Sequence, residues 1–427
     1  MPELRIALLT YSTRPRGEVV HTLALAEALA RAGQDVTVWA LAQDGETDFF
    51  RPIDPAVRAC IVPVPRAEAR AEVEDRAEVE GRAEVEGRAE LEDRAEDIGA
   101  QVQRSIATLL AAFAGSAAGE SFDVVHAQDF LTANAVPGRI RTVHHLNQFT
   151  IPELVSAHER ALVEPSARVC LSAALAAELA VGWGRSAEVI SSGVDAARFT
   201  AAADDHPDAV EQRRYWTDRL GDYVLTMGAI EPRKGTLELV RAMARVRRRR
   251  PGTRLVIAGD DARLDYSDYR RDVQALATRL RIEPELLGPV PHAQLPSLVA
   301  AAGALAVPAV QAGAGQAALE ALAAGVPVVT RDLPAFHELF GDVVQFADLG
   351  DGSSGEVAAG LAGQLVAVLE SRAGRSKGAE ALPGPSRREA GQALAARQSW
   401  DDAAAAHLAL YHRLISEGRE IGMLRPS

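Results

Sequence analysis

Arg233 and Lys234 stand side by side in the stretch GAIEPRKGT, which opens at Gly228 after the apolar run YVLTMG and leads into a segment of helical spacing, Thr236 to Arg249. A planar guanidinium fork beside a point charge, just ahead of a helix N-terminus, is a set of groups that grips a compact polyanion. A second stretch, QAGAGQAALEALAAGVPVV (Gln311 to Val329), places Gly313, Ala314 and Gly315 in a loop after the run ALAVP. The glycines let backbone N–H groups approach a ligand closely. Glu320 follows on the next helix, where a carboxylate can accept hydrogen bonds from two adjacent hydroxyls, as on a ribose. Each feature alone has an ordinary reading, as a solvated cation pair, a turn or a dipole partner. Their order across successive strand ends, where open parallel sheets bind ligands, describes a pocket for a nucleoside diphosphate. A dinucleotide dehydrogenase fares worse, because no G-x-G-x-x-G follows an expected strand. No D-x-D stands at a strand end, so metal dependence is not expected.

These residues need two series of alternating strands and helices to hold them. LRIALLT, YSTRPRG, VVHTLALAEALARAG and DVTVWAL read as strand, loop, helix, strand, and a βαβ start implies a parallel sheet. FDVVHA, RTVHHL, ARVCLS and AEVIS continue that series; YVLTMG, RLVIAG, ALAVP and VPVVT form a second one, after a hinge near Gly193 to Phe199. The tail SWDDAAAAHLALYHRLISEG reads as an amphipathic helix that could pack back across the hinge.

Composition bounds the function. A chain of 427 residues with 48% hydrophobic content can bury more than one core. The net charge is -13, but Arg66 to Asp97 alone holds 13 acids against 6 arginines, and the mildly acidic remainder argues against nucleic-acid binding. Cys60 and Cys170 form no metal or disulfide pattern, and MPELRIALLT lacks a secretory leader, so a cytoplasmic location is expected. The acidic segment repeats RAEVED-like hexads in which Glu72, Glu78, Glu84 and Glu90 each stand four residues before an arginine, which suits helical ion pairs; a period of six gives no coiled-coil stripe. It reads as a solvated, fraying helix or a disordered lid, with a partner-binding arm as the other reading. RVRRRRP (Arg245 to Pro251) places cations at the negative end of a helix dipole; contact with an anionic ligand or membrane surface is the other reading.

With DVVHAQD, VISSGVDAARF and LGPVPHAQLPSLVAAA added, the chain resembles the family 4 (group 1) retaining glycosyltransferases over nearly its whole length apart from the repeat insert. The resemblance implies an α/β chain of GT-B fold, two Rossmann-like domains facing a central cleft. Residues 1–196 would be the acceptor domain with its charged insert 66–97, residues 197–399 the donor domain, and 400–427 a helix returning to the first domain. It further implies a UDP-, GDP- or ADP-sugar as co-substrate with no other cofactor, and a small-molecule, glycan or lipid acceptor, with no nucleic-acid partner. Arg233, Lys234 and His144, with His145 adjacent, would be catalytic. Gly17, Gly228, Gly313, Ala314, Gly315, Glu320 and Val290 would bind the donor.

The departures are as informative. The first acid of the family's E-x7-E motif is replaced by Ala312, and Gln311, next door, would leave the loop in a different direction. Glu18 stands where a second glycine is usual and would set a negative charge against donor phosphates. Ser192 replaces the usual asparagine before Gly193. A catalytically silent nucleotide-sugar binder is therefore a competing reading, ahead of a phosphorylase or an epimerase.

Overall fold

The computed structural model describes residues 2–42, 45–64, 83–117, 121–147, 149–259, 266–311, 313–375 and 386–422. The first half winds helices around seven parallel strands: β1 (Arg5–Thr10), β2 (Asp35–Ala42), β3 (Val57–Pro63), β4 (Val124–Ala127), β5 (Ile140–Val143), β6 (Ala167–Cys170) and β7 (Glu188–Val189). The sheet order is β3-β2-β1-β4-β5-β6-β7. The helices between them are α1 (Gly17–Arg31), α2 (Ala83–Ala117), α3 (Phe130–Ala135), α4 (Pro152–Val163) and α5 (Ala173–Trp183). After α6 (Ala196–Ala202) and α7 (Pro207–Leu220) comes a second parallel sheet in the order β10-β9-β8-β11-β12-β13. Its strands are β8 (Tyr223–Met227), β9 (Arg254–Ala258), β10 (Glu285–Gly288), β11 (Ala304–Val307), β12 (Val328–Arg331) and β13 (Gln345–Ala347). Around it lie α8 (Thr236–Arg249), α9 (Ser267–Leu280), α10 (Leu295–Ala301), α11 (Gln316–Ala323), α12 (Pro334–Phe340), α13 (Ser354–Arg375) and α14 (Arg387–Arg397). The chain then returns to the first half as α15 (Trp400–Ser416).

Strands covered on both faces need apolar side chains on both, which is why β1, β2 and β4 read as continuous apolar runs. The three strands that sequence reading missed, β3, β10 and β13, all lie at sheet edges. There β3 buries only Val57 and Val62 and Leu286 of β10 is 55% exposed, so no unbroken buried apolar run marks them. Hexads 66–82 lie outside the described residues. The helix α2 extends well past Asp97, because Val102, Leu109 and Phe113 recur at helical spacing and are buried. At the end of α8, Arg247 to Arg249 are exposed, and Arg247 Nη1 donates to the carbonyl of Arg281 at 2.8 Å. No helix among the described residues is long and apolar enough to cross a membrane.

Two crossings join the halves, and they touch. Val194 N–H donates to the Gln398 carbonyl at 2.7 Å, and a Cβ on Gly193 would lie 2.4 Å from the backbone nitrogen of Trp400. Beyond them α15 buries Trp400, Ala404, His407, Leu408 and Tyr411 against α1 and the first sheet, where Tyr411 hydroxyl and Thr142 Oγ1 hold the two nitrogens of His126 at 2.7 and 2.8 Å. Since the atoms meeting Gly193 are backbone, no rotamer change relieves a clash. Gly193→Ala is expected to cost about 1–3 kcal/mol, read as a lower midpoint in urea unfolding.

Candidate active site

A cleft of about 360 Å³ lies between the halves, at the carboxyl ends of both sheets. On the second side, β8 runs into Gly228, whose φ of 122° only glycine holds without strain. A Cβ there would sit 3.0 Å from Lys234 Cε, so the lysine stem lies across the bare backbone. Pro232–Lys234 forms a single 3-10 turn ahead of α8. Gly235 closes it at φ 67°, where a Cβ would be 2.1 Å from the carbonyl oxygen of Pro308. Arg331 fastens the same point: its Nε donates to that carbonyl at 2.6 Å, and its Nη2 lies 3.4 Å from Glu238 of α8. The loops after β8 and β11 are thereby locked to each other, and the cation pair is fixed relative to the glycine loop.

Burial, with Arg233 adding repulsion, lowers the Lys234 ammonium to about 8, against the opposing pull of Glu231 and Glu18. It is charged at neutral pH but poorly solvated, a state that favours an incoming anion. Arg233 is already bridged to Glu231 at 2.7 Å. Gly313 leaves open space where a Cβ would stand, whereas a Cβ on Gly315 would lie 2.6 Å from Phe340 Cζ. Of the two, Gly315 is therefore required by packing and by its φ of 66° at the start of α11, while Gly313 leaves room in the cleft. Glu320 of α11 is 8% exposed, and burial raises its carboxyl to about 8 although Arg198 pulls it down. Arg198 in turn hydrogen-bonds the carbonyl of His292.

The first half contributes Gly17 and Glu18 at the start of α1, and His144 and His145 after β5. Gly17 has nothing within 4 Å of a Cβ position. Burial pushes the Glu18 carboxyl up, but His145, His144 and Arg233 outweigh it and hold the group at about 2. His145 Nδ1 lies 3.6 Å from Glu18 Oε1. Burial, then Arg141 and Arg233, bring His144 down to about 4, so it is a neutral imidazole at physiological pH. Its Nε2 finds no hydrogen-bond partner among the described residues. The ring packs edge-on to His21 at 4.8 Å, and His21 Nδ1 meets Ser192 Oγ at 2.9 Å.

All ten residues selected from sequence line this one cleft: Gly17 and His144 from the first half, and Gly228, Arg233, Lys234, Val290, Gly313, Ala314, Gly315 and Glu320 from the second. Gln311 also lines it, although sequence reading sent its side chain elsewhere; Ala312 lies outside the described residues. Sequence reasoning missed Arg198, His292, Gln128 and Arg141 as lining residues. Arg198 lay within the recognised VISSGVDAARF stretch and His292 within LGPVPHAQLPSLVAAA, whereas a buried arginine inside a strand carries no local signal.

Two doubly wound parallel sheets opening onto a shared cleft, with a helix crossing back, define the GT-B class of α/β fold. The Glycosyltransferase Family 4 model matches residues 15–198 and the Glycosyl transferases group 1 model matches residues 218–352. The chain belongs to this group 1, family 4 glycosyltransferase family. Among its relatives is a glycogen synthase of Mycobacterium tuberculosis, 28% identical over 282 residues, 61% of this chain and 63% of that protein. The match thus spans less than two thirds of that relative's length. A phosphatidyl-myo-inositol mannosyltransferase of the same organism is 28% identical over 325 residues, covering 70% of this chain and 76% of its own. Anabaena HepE, solved in complex with UDP and glucose, superposes with a TM-score of 0.63 at 18% identity, covering 95% of this chain and all of the other.

Two predictions follow from these charges. The folded chain keeps a proton on Glu320 up to about 8 whereas an unfolded glutamate loses it near 4.5, so stability should fall as pH rises between those values. Melting temperatures across pH 5 to 9 should show wild type losing ground to Glu320→Gln, at about 1 kcal/mol per pH unit below 8. Removing the ionised carboxylate that faces the cation pair, by Glu18→Gln, should tighten nucleoside diphosphate binding by about tenfold in calorimetry.

Proposed function

We propose that the chain transfers a sugar from a nucleotide-sugar donor to a hydroxyl acceptor with retention of anomeric configuration. The observation that carries this reading is the convergence of Lys234, Arg233, Gly313 and the buried Glu320 on one wall, facing neutral His144 on the other. The cation pair and the N-terminus of α8 bind the diphosphate, and Glu320 accepts from the nucleotide ribose. As the bond from the sugar C1 to the phosphate oxygen breaks, negative charge grows on the leaving diphosphate, and Lys234 and Arg233 meet it as preorganised charge without a metal. The acceptor oxygen bonds to C1 on the same face, and its proton passes to the leaving phosphate oxygen. His144, uncharged and with an Nε2 that has no partner among the described residues, is suited to hydrogen-bond a sugar hydroxyl rather than to compete for the phosphates. The two relatives named above support a sugar-transfer reading, and HepE's complex with UDP and glucose supports the kind of donor.

A silent nucleotide-sugar binder remains the second reading, on the single observation that alanine occupies position 312. Gln311 at the cleft wall weakens it by supplying a polar group beside the missing acid.

Transfer from a panel of UDP-, GDP- and ADP-sugars to a mixed acceptor pool, followed by NMR of the product's anomeric proton, tests the proposal. Lys234→Ala should lower turnover by about 100-fold or more, with a fold unchanged by circular dichroism. An undiminished rate sinks the site assignment, an inverted product sinks retention, and diphosphate binding without turnover selects the silent reading.

A further inference from the structure

The first-half wall of the cleft holds buried polar atoms that the donor reading leaves unused. Gln128, just past β4, is fully buried, yet neither its Nε2 nor its Oε1 has a hydrogen-bond partner among the described residues. Arg141 of β5 is 3% exposed, and its Nε and Nη1 likewise find none. Both residues line the cleft, together with Phe130 and Phe149, whose rings lie 5.3 Å apart. An unpaired buried amide costs about 1–3 kcal/mol and a charged group more, so such a cluster at a cavity wall is a site built for a polar occupant.

The charges around it set the sign of that occupant. Burial, with a smaller contribution from Arg168, brings Arg141 only to about 10, so it stays a cation, supported by Asp129. Asp129 is shared, because its Oδ1 also caps α3 by accepting from Leu131 and Thr132 N–H at 2.9 and 3.0 Å. Arg168, held on the carbonyls of Leu162 and Val163, adds a second positive charge. The other titratable groups near Arg141 are neutral at physiological pH: burial takes His158 down to about 3 and Cys170 up to about 12. Arg141 thus lines the cleft with two nitrogens unfilled among the described residues, while Asp129, the acid beside it on the same wall, has one oxygen committed to the α3 cap.

We propose that this wall is the acceptor subsite and that it takes a hydroxylated acceptor bearing a phosphate or carboxylate, the acid group pairing with Arg141 and a neighbouring hydroxyl with Gln128. The apolar faces of Phe130 and Phe149 lie beside the carbon skeleton. That the occupant is an acceptor rests on the transferase reading; that it is an anion does not.

The test is calorimetry on the full chain, with and without UDP, GDP or ADP, using matched pairs: glucose 6-phosphate and glucuronate against glucose, inositol 1-phosphate against inositol, glycerol 3-phosphate against glycerol. At least one acidic member should bind about tenfold or more tighter than its neutral parent. Phosphate and carboxylate members separate the two acid groups. Arg141→Gln should collapse that ratio to near one. Because a buried arginine also supports the fold, Gln128→Leu serves as a second variant, weakening both members of a pair while leaving their ratio in place. Equal binding of acid and parent, a ratio that survives Arg141→Gln, or no binding by any member overturns the proposal. Acidic members that bind to a chain unable to transfer sugar from any nucleotide sugar would uphold the anion site and sink the transferase reading instead.

Discussion

The molecule turns on a place where two chain crossings lie in backbone contact, Gly193–Val194 against Gln398–Trp400. Each half has its own parallel sheet and its own core, so nothing within either half sets their mutual orientation. The missing Cβ of Gly193 lets the outgoing and returning strands of chain close on one another, and α15 then anchors the return against α1. Contacts across the cleft supplement this: Glu338 of α12 accepts from Ala173 and Ala174 N–H at the start of α5 at 2.6 and 3.0 Å, and Phe50 packs edge-on to His292 at 5.9 Å. These are single side-chain contacts, whereas the crossing sets backbone against backbone.

What the crossing brings together is a set of charges that are poorly solvated and face one another across the cleft. Lys234 and Arg233 come from the second half, Glu18 and two neutral histidines from the first. Removing water strengthens each of these interactions and raises the cost of leaving any of them unmatched. Glu18 is tolerable in the cleft because His145, His144 and Arg233 together outweigh the effect of its burial. Its cost falls on an arriving diphosphate, which must share the cation pair with it. The same logic separates the two walls: one presents cations and a protonated Glu320, and the opposite wall presents a guanidinium and an amide with nitrogens and an oxygen unfilled among the described residues.

Much of this was legible in the sequence, and the limits have physical causes. Central strands were readable because burial on both faces demands unbroken apolar runs, and Thr236 to Arg249 was bounded correctly by its turn residues and its helical period. Edge strands β3, β10 and β13 were not, since one side of each faces solvent or loops. The cation pair, the glycine loop and Glu320 were readable because each sits in a short local pattern at a strand end.

By itself, then, the sequence determined the order of the central strands and their helices, the two-sheet architecture and the residues that line the second half's side of the cleft, all of which rest on local periodicity and on motifs within a few residues. Only the tertiary structure decided which glycine serves packing and which leaves room, since Phe340 stands behind Gly315, which also has a φ of 66°, and nothing stands behind Gly313. It alone brought Arg198 near enough to Glu320 for its charge to oppose the effect of burial, and set Glu18 beside His145 near Arg233. It also showed atoms of Arg141 and Gln128 in a cavity wall without partners among the described residues, because satisfaction of a buried polar atom depends on neighbours far away in the chain.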